Sequence, residues 1–353
     1  MAFSAIIKPT DYFNTKLYTG TGASSQAQTG VGLQPDFVWI KSRSTSEGHV
    51  LADVVRGVTK YLISNTASVE VTNTDTVKSF DSDGYTIGPA GVTGGNGVTF
   101  ASWNWKAGTA VSGATTGSGT AKTYTGSVNT TAGFSIIKYI GNSGSGHQIP
   151  HRLGVTPKMI IVKCLNQAQT WTVYHQSLGS GTPQNYWLHL DTTDAQISGL
   201  GIWNNTAPNA TNFTVGDSDN VNGGLNYIAY CFADVPGFSK MGSYRGNGNA
   251  NGTFVYTGFK PAFIILKTST IASNDWVMFD NKRLGYNVSN DSLKPNSAST
   301  EQTGLDIDLL SNGFKLRGAQ NDINGNGGTY IFMAFAETPF VANSGASIPT
   351  TAR

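Results

Sequence analysis

Two short segments of the sequence combine the side chains that a sugar-binding site needs. A pyranose ring stacks on an aromatic face, while its hydroxyl groups exchange hydrogen bonds with short polar side chains. Aromatic residues dominate protein cores, and this favours the alternative that both tryptophans are buried, with nearby exposed loop residues as better ligand candidates. The candidate ligand-binding residues are Trp171, Tyr174 and His175 in one segment and Trp276 and Asp280 in the other.

Two aspartate-rich segments, Asp81–Gly84 and Asp217–Asn220, resemble the start of a calcium-binding loop. Such a loop needs a further oxygen ligand two positions on, where this chain has Tyr85 and Val221. We therefore interpret both segments as turns and predict no metal site and no cofactor. Calcium held jointly by two loops stays open as an alternative.

The sequence contains few of the groups that catalytic sites use. Neither a Gly-x-Ser-x-Gly nucleophile elbow nor a Gly-x-x-x-x-Gly-Lys-Ser/Thr phosphate loop occurs. A polysaccharide-cleaving enzyme places two carboxylates about 5 to 10 Å apart. Because carboxylates are scarce, we expect those present to be turn or surface residues and the protein not to be an enzyme. The carboxylates available for such a pair are Glu301, Asp306 and Asp308, or Glu47 and Asp53.

Composition narrows the class of protein further. Charged residues make up 12% of the chain and the net charge is +2, without a long run of lysine or arginine, which argues against a nucleic-acid partner. No stretch approaches the apolar length of a membrane span and no signal peptide is evident, so we expect a product made in the cytoplasm without membrane insertion. Cys164 and Cys231 are expected to be buried free thiols, with a disulfide as the alternative.

One pattern occurs three times in the chain. In each copy a proline is followed by an apolar run and, six positions later, by a lysine, within Gly32–Lys41, Gly154–Lys163 and Gly258–Lys267. Self-similarity of this kind indicates repeated structural units, here of about a hundred residues. Each copy also ends on two aromatic residues five positions apart: Phe100 and Trp105, Tyr227 and Phe232, and Tyr330 and Phe335.

The repeated apolar runs are typical of buried strands. Phe37, Trp39 and Lys41 alternate with Val38 and Ile40 in the first copy. The continuous apolar runs in the second and third copies indicate burial on both faces. Asn-Gly and Asp-Gly pairs favour hairpin turns, and no segment keeps a helical period. The sequence therefore predicts an all-β fold of three tandem β-sandwich repeats of jelly-roll or lectin-like kind.

The copies also predict the domain boundaries. Residues 107–132 are rich in Gly, Ser, Thr and Ala, so we expect a linker that lets the first copy move relative to the other two. The second and third copies follow each other too closely to move freely. The predicted units are an N-terminal arm and repeat at 1–106, the linker at 107–132, repeats at 133–236 and 237–340, and a C-terminal tail at 341–353.

Five motifs follow one another along the chain: Gln34–Lys41, Asp81–Tyr85, Trp103–Lys106, Gly133–Ile136 and Asn312–Lys315. Taken together and in this order, they resemble a family of repeated virion structural proteins of tailed bacteriophages. The resemblance covers the chain from Tyr12 to Pro339, and it implies concanavalin-like sandwich repeats in a tail or fibre component. It carries over no catalytic residues.

The resemblance implies a virion location and a tail fibre or adhesin-like role, with other virion proteins and a host glycan or protein receptor as partners. It also implies a homo-oligomer, with a trimer favoured. The alternatives are a capsid decoration or head-fibre protein and, less favoured, a polysaccharide depolymerase. The first copy has His49 where the others have the candidate tryptophan, which makes it the expected attachment module and the other two the outward-facing pair.

Overall fold

The protein is an all-β molecule in which paired strands run antiparallel. The computed structural model describes Ser4 and residues 6–339. Within this part, helical structure is limited to α1 (Gly91–Gly94) and to 3-10 turns at Pro9–Asp11, Leu178–Gly181 and Pro183–Asn185. No helix among these residues is long and apolar enough to cross a membrane. The predicted all-β sandwich class is confirmed.

The first sandwich packs a six-stranded sheet, in the order β1-β9-β3-β4-β5-β6, against a three-stranded sheet in the order β2-β8-β7. The core between them contains Val38 and Ile40 from the large sheet and Tyr85 and Ile87 from the small one. The strands are β1 (Phe13–Thr19), β2 (Gln26–Gln28), β3 (Phe37–Ser42), β4 (Val50–Asp53), β5 (Lys60–Ile63), β6 (Val71–Thr72), β7 (Val77–Asp81), β8 (Gly84–Ile87) and β9 (Thr99–Trp105).

The second sandwich has an eight-stranded sheet, β10-β12-β13-β20-β15-β16-β17-β18, and a three-stranded sheet, β11-β14-β19. Its core is formed by residues such as Ile160, Val162 and Phe213. The strands are β10 (Thr109–Ala114), β11 (Thr116–Gly117), β12 (Thr123–Asn129), β13 (Phe134–Ile140), β14 (His147–Pro150), β15 (Met159–Cys164), β16 (Thr172–His175), β17 (Tyr186–His189), β18 (Ile197–Ser198), β19 (Asn212–Val215) and β20 (Asn226–Phe232).

The third sandwich pairs a four-stranded sheet, β21-β27-β23-β24, with a three-stranded sheet, β22-β26-β25. Ile264, Leu266 and Phe314 lie in its core. The strands are β21 (Ser239–Arg245), β22 (Phe254–Tyr256), β23 (Phe259–Thr268), β24 (Val277–Asp280), β25 (Ile307–Leu310), β26 (Gly313–Leu316) and β27 (Thr329–Pro339).

The segment 107–132, expected to be a linker, forms β10, β11 and β12. β12 pairs with β13 from Tyr124 to Asn129, and the Tyr124 side chain is buried at 2% exposure. Gly126 allows this pairing, because a Cβ there would lie 2.4 Å from the Ile136 carbonyl oxygen. The segment has few apolar residues, but Tyr124 and Val128 are enough to bury one face of β12.

The three large sheets also share a fourth, central core. Along β3, Val38 and Ile40 point into the first sandwich, whereas Phe37 and Trp39 point into the central core. Alternation along a strand explains why the repeated runs are apolar on both faces. The first sandwich is therefore packed into the same core as the other two, in contrast to the loose attachment that a linker implies.

The closing aromatic residues of the three copies meet in this central core. The ring centres of Trp105, Phe232 and Phe335 are 6.4, 6.1 and 5.7 Å apart, so the three rings form a triangle. Their partners five positions earlier lie in the separate sandwich cores. An odd spacing places two strand residues on opposite faces, so each aromatic pair joins its own sandwich to the centre.

Candidate functional site

The five residues predicted to bind a ligand lie inside the protein, distributed over the interfaces between sandwiches and the core of the second sandwich. The indole nitrogen of Trp171 donates a hydrogen bond to the Ile63 carbonyl oxygen at 3.0 Å, and that of Trp276 to the His189 carbonyl oxygen at 2.9 Å. Covered rings offer no face to a sugar, so the favoured alternative of burial holds for both tryptophans, which lie at interfaces between sandwiches. The five side chains are 0 to 3% exposed: Trp171, Tyr174, His175, Trp276 and Asp280.

Asp280 belongs to a buried polar cluster between the third and first sandwiches. Its Oδ2 accepts hydrogen bonds from Arg283 Nε at 2.7 Å and from Trp103 Nε1 of the first sandwich at 3.2 Å. Asp53 occupies the corresponding position between the first and second sandwiches, where it accepts a hydrogen bond from the Tyr230 hydroxyl at 2.8 Å. In both clusters the buried charge is paired within its own sandwich and bonded to a neighbour, as buried charges require.

His175 takes the same position between the second and third sandwiches. Burial lowers its pKa to about 4, so the imidazole is neutral near pH 7. Its Nδ1 accepts the Ser177 N–H at 3.1 Å, which leaves Nε2–H to donate to the Phe332 carbonyl oxygen at 3.1 Å. A neutral histidine thus replaces the aspartate of the other two interfaces and needs no arginine partner.

The repeated lysines of the three copies are also buried at the interfaces, with 0% exposure. They lie on β3, β15 and β23 after the inward-facing apolar residues. Each ammonium group donates a hydrogen bond to a carbonyl oxygen of the neighbouring sandwich. Burial lowers the pKa of each to about 8. The interface acceptors are the Ala298 carbonyl for Lys41, the Ala67 carbonyl for Lys163 and the Thr193 carbonyl for Lys267, at 3.1, 3.0 and 3.1 Å.

These contacts close the three sandwiches into a ring. The lysine of the first sandwich reaches the third, that of the third reaches the second, and that of the second reaches the first. The sequence shows a lysine at the end of the apolar run in each of the three copies. The carbonyl groups that accept their hydrogen bonds could not be predicted from the sequence, because they lie up to 257 positions away along the chain.

The carboxylates considered for catalysis are largely committed to ion pairs. Glu301 accepts hydrogen bonds from Arg43 Nη2 at 2.7 Å and Arg283 Nη1 at 3.1 Å, so it ties the third sandwich to the first. Asp53 is paired with Arg56 in the interior. This arrangement supports a structural role for Glu301 and Asp53, whose oxygens are already engaged by arginines and are poorly placed to act as acid and base on a substrate.

The aspartate-rich segments behave as turns. The Asp83 carboxylate accepts the N–H groups of Gly30 and Gly32 at 2.8 and 2.7 Å, and these bonds lower its pKa. Residues 6–339, with Ser4, contain no group of three or more His, Cys, Asp or Glu that would hold a metal ion. Cys164 and Cys231 are buried free thiols, and burial raises the pKa of Cys231 to about 12.

The family described as Domain of unknown function (DUF7483) matches residues 8–339. The chain belongs to this family. The matched range extends from before β1 to the end of β27, so it takes in all three sandwiches as one unit. Neither curated proteins nor solved structures yield a match to the chain.

Two open grooves border the hairpin of β10 and β12, and sequence reasoning missed both. One, of about 540 Å³, lies against the first sandwich beside Asp36, whose carboxylate accepts bonds from Ala107 N–H and Ser127 Oγ at 2.9 and 3.2 Å. The other, of about 450 Å³, contains Tyr124 and Arg152. Because a supposed linker forms one wall of each groove, the sequence offered no reason to look there.

Proposed function

We propose that the protein is a non-enzymatic virion structural protein of a tailed bacteriophage, a tail fibre or adhesin-like component that contacts the host surface and neighbouring virion proteins. The observation that carries this proposal is the closed ring of three sandwiches around one aromatic core. Its buried charged groups serve to lock the ring, which favours a rigid particle component over a catalyst. The resemblance of the ordered motifs to phage virion proteins supports the particle context.

The ring also bears on how copies of the protein would assemble. Its central core is buried within a single chain, so the proposed homo-oligomer, for which a trimer is favoured, would use outer surfaces. Light scattering coupled to gel filtration measures this directly. A monomeric mass at concentrations well above those needed for fibre assembly would contradict the oligomer.

Labelling intact particles with an antibody against the purified protein tests the location. Gold particles on tails support the fibre role, whereas gold on heads would replace it with a capsid decoration or head-fibre role. Absence of the protein from purified particles would overturn the virion proposal as a whole. An antibody against a known tail protein serves as the positive control.

Incubation of the purified protein with host polysaccharide tests the non-enzymatic part. We expect no new reducing ends over the time in which an added polysaccharide hydrolase degrades the same material. Their appearance would contradict the proposal, and the variant Glu301→Gln would then identify whether that carboxylate takes part. Loss of cleavage in this variant at an unchanged melting temperature would place Glu301 in a depolymerase site.

A further inference from the structure

Arg152 has a backbone conformation that favours glycine. Its φ is 63°, and Gly30, at the corresponding position before the repeated pattern in the first sandwich, has a φ of 76°. The third sandwich has Tyr256 there, at the end of β22. A non-glycine residue held in this left-handed region is strained, and such residues concentrate at binding and catalytic sites. The second sandwich therefore keeps an arginine where glycine would fit without strain.

The position of the Arg152 side chain is set by Tyr124. Arg152 Nε donates a hydrogen bond to the Tyr124 hydroxyl at 2.6 Å, and the guanidinium carbon lies 5.6 Å from the centre of the tyrosine ring. Tyr124 is itself buried in β12. Among the described residues, the two terminal nitrogens of Arg152 form no hydrogen bond or ion pair. One edge of the guanidinium is thus fixed, and the other remains open to a ligand.

The groove around this guanidinium has the size and lining of a small-ligand site. Its volume is about 450 Å³, within the range of roughly 300 to 1,000 Å³ that small-molecule sites occupy. No aspartate or glutamate lines it, so nothing in the groove neutralises the arginine. Thr116, Thr211 and Asn212 supply hydroxyl and amide groups, and Pro150 supplies an apolar surface.

We propose that this groove binds an acidic saccharide, with the carboxylate or phosphate of the sugar on the open edge of Arg152. A guanidinium binds either anion through two parallel N–H donors, and its geometry is matched to both. The hydroxyl and amide groups of the groove contact the sugar hydroxyls, and the ring packs on Pro150. This inference rests on the proposed attachment function and names the class of ligand.

Within Ser4 and residues 6–339, the strands that form this groove wall occur in the second sandwich and have no counterpart in the other two. Thr116 and Tyr124 come from β11 and β12, which belong to the segment between the first and second copies of the repeat. The first sandwich has glycine at the position of Arg152. We therefore expect one site in each chain.

Calorimetric titration of the full-length protein tests the proposal. The ligands are an oligomer of galacturonic acid, a sugar phosphate, and a neutral galactose oligomer of matched length. We expect at least one acidic ligand to bind with a stoichiometry of one and at least about tenfold more tightly than the neutral oligomer, because a charge-assisted bidentate contact is lost in the latter. The acidic ligand that binds more tightly identifies the anionic group.

Variants at position 152 separate binding from folding. Arg152→Gly should abolish detectable binding yet keep the melting temperature within about 2 °C of the wild type, since relief of backbone strain offsets the lost Tyr124 bond. Arg152→Lys keeps the charge without the paired donors and should weaken binding about tenfold. Arg245→Gln, which removes an exposed arginine on β21, is the matched control and should bind normally.

Equal binding of acidic and neutral ligands, binding by Arg152→Gly at wild-type affinity, or no binding of any of the three ligands would overturn the inference. These outcomes are distinct from failure of the proposed function. A protein found on particles by antibody labelling that ignores acidic sugars keeps its virion role and loses this site. A protein that binds acidic sugars through Arg152 but is absent from particles loses the virion role alone.

Discussion

The inward-facing strands of the three sandwiches are alike, whereas their outer edges differ. On the inner side, Trp105, Phe232 and Phe335 occupy one position and contact one another. On the outer side, β14 is flanked by β11, while the corresponding strands β2 and β22 lie at the edges of their sheets. The shared residues hold the ring together. The differences at the outer edges are where we place binding to partners.

The largest loss of stability is expected from a substitution in the central core. Trp105→Ala removes a fully buried ring that contacts the second and third sandwiches, and core aromatic-to-alanine changes cost about 3 to 5 kcal/mol of unfolding free energy. Urea unfolding followed by tryptophan fluorescence and by circular dichroism measures the loss. Because the core is shared, we expect both signals to give one common transition.

Two separate transitions in the wild type, with only one of them shifted by Trp105→Ala, would contradict the shared core. That result would mean that the first sandwich unfolds independently, as a flexible attachment implies. Phe254→Ala at the outer edge is the control, because its ring is 44% exposed and its truncation should change the stability by less than about 0.5 kcal/mol.

The next largest effect concerns a single interface. Lys163→Met leaves the carbonyl oxygens of Ala67 and Gln169 without their ammonium donor, and an unsatisfied buried acceptor costs about 1 to 3 kcal/mol. We expect a loss of about 2 to 3 kcal/mol in the same assay. Lys138→Met, at a partly exposed lysine on β13, is the matched control. Equal effects of the two variants would show that the bridge to the first sandwich contributes nothing.

The buried lysines also predict how stability depends on pH. The folded protein releases their protons above a pKa of about 8, whereas the unfolded chain keeps them up to about 10.5. The unfolded state therefore binds more protons in this window, and stability rises with pH from about 8 towards 10. We expect an increase on the order of 1 kcal/mol for each lysine. Measurements stay below pH 10, where tyrosine ionisation begins.

Urea midpoints at pH 7.5, 8.5 and 9.5 measure this rise. Lys163→Met should show a smaller rise than the wild type, because one of the three titrating groups is gone. A wild-type midpoint that rises no more than that of Lys163→Met would mean that the carbonyl acceptors hold Lys163 charged over this interval, because the raised pKa of the Cys231 thiol lowers the stability of both proteins equally. The hydrogen bonds from this lysine to the carbonyl oxygens would then be those of a charged ammonium group at every pH tested.

The smallest effect on stability is expected at the outer edge of the third sandwich. Phe254→Ser replaces an exposed ring on β22, so the melting temperature should remain within about 1 °C of the wild type. Exposed aromatic edges favour association between chains. If β22 contributes to the proposed oligomer, light scattering will show a lower mass for this variant. A change in melting temperature beyond that range would place β22 among the structural elements of the ring.

Several elements were predictable because their signal is local. The proline-to-lysine pattern predicted β3, β15 and β23, and the continuous apolar runs predicted burial on both faces. The odd spacing of the closing aromatic residues also predicted burial on both faces, since Phe100 and Trp105 must lie on opposite faces of β9. Residues 107–132 were mistaken for a linker because burial of a few side chains such as Tyr124 depends on the sheet they join.

The sequence by itself determined the strands, their two buried faces and the all-β class, because alternation and turn residues act over a few positions. Only the tertiary structure decided what covers Trp171 and Trp276, which carbonyl groups accept hydrogen bonds from Lys41, Lys163 and Lys267, and which edge of the Arg152 guanidinium stays open. Each of these depends on groups brought together from distant parts of the chain. Side chains of the right type for a sugar site became interface residues because neighbouring sandwiches cover them.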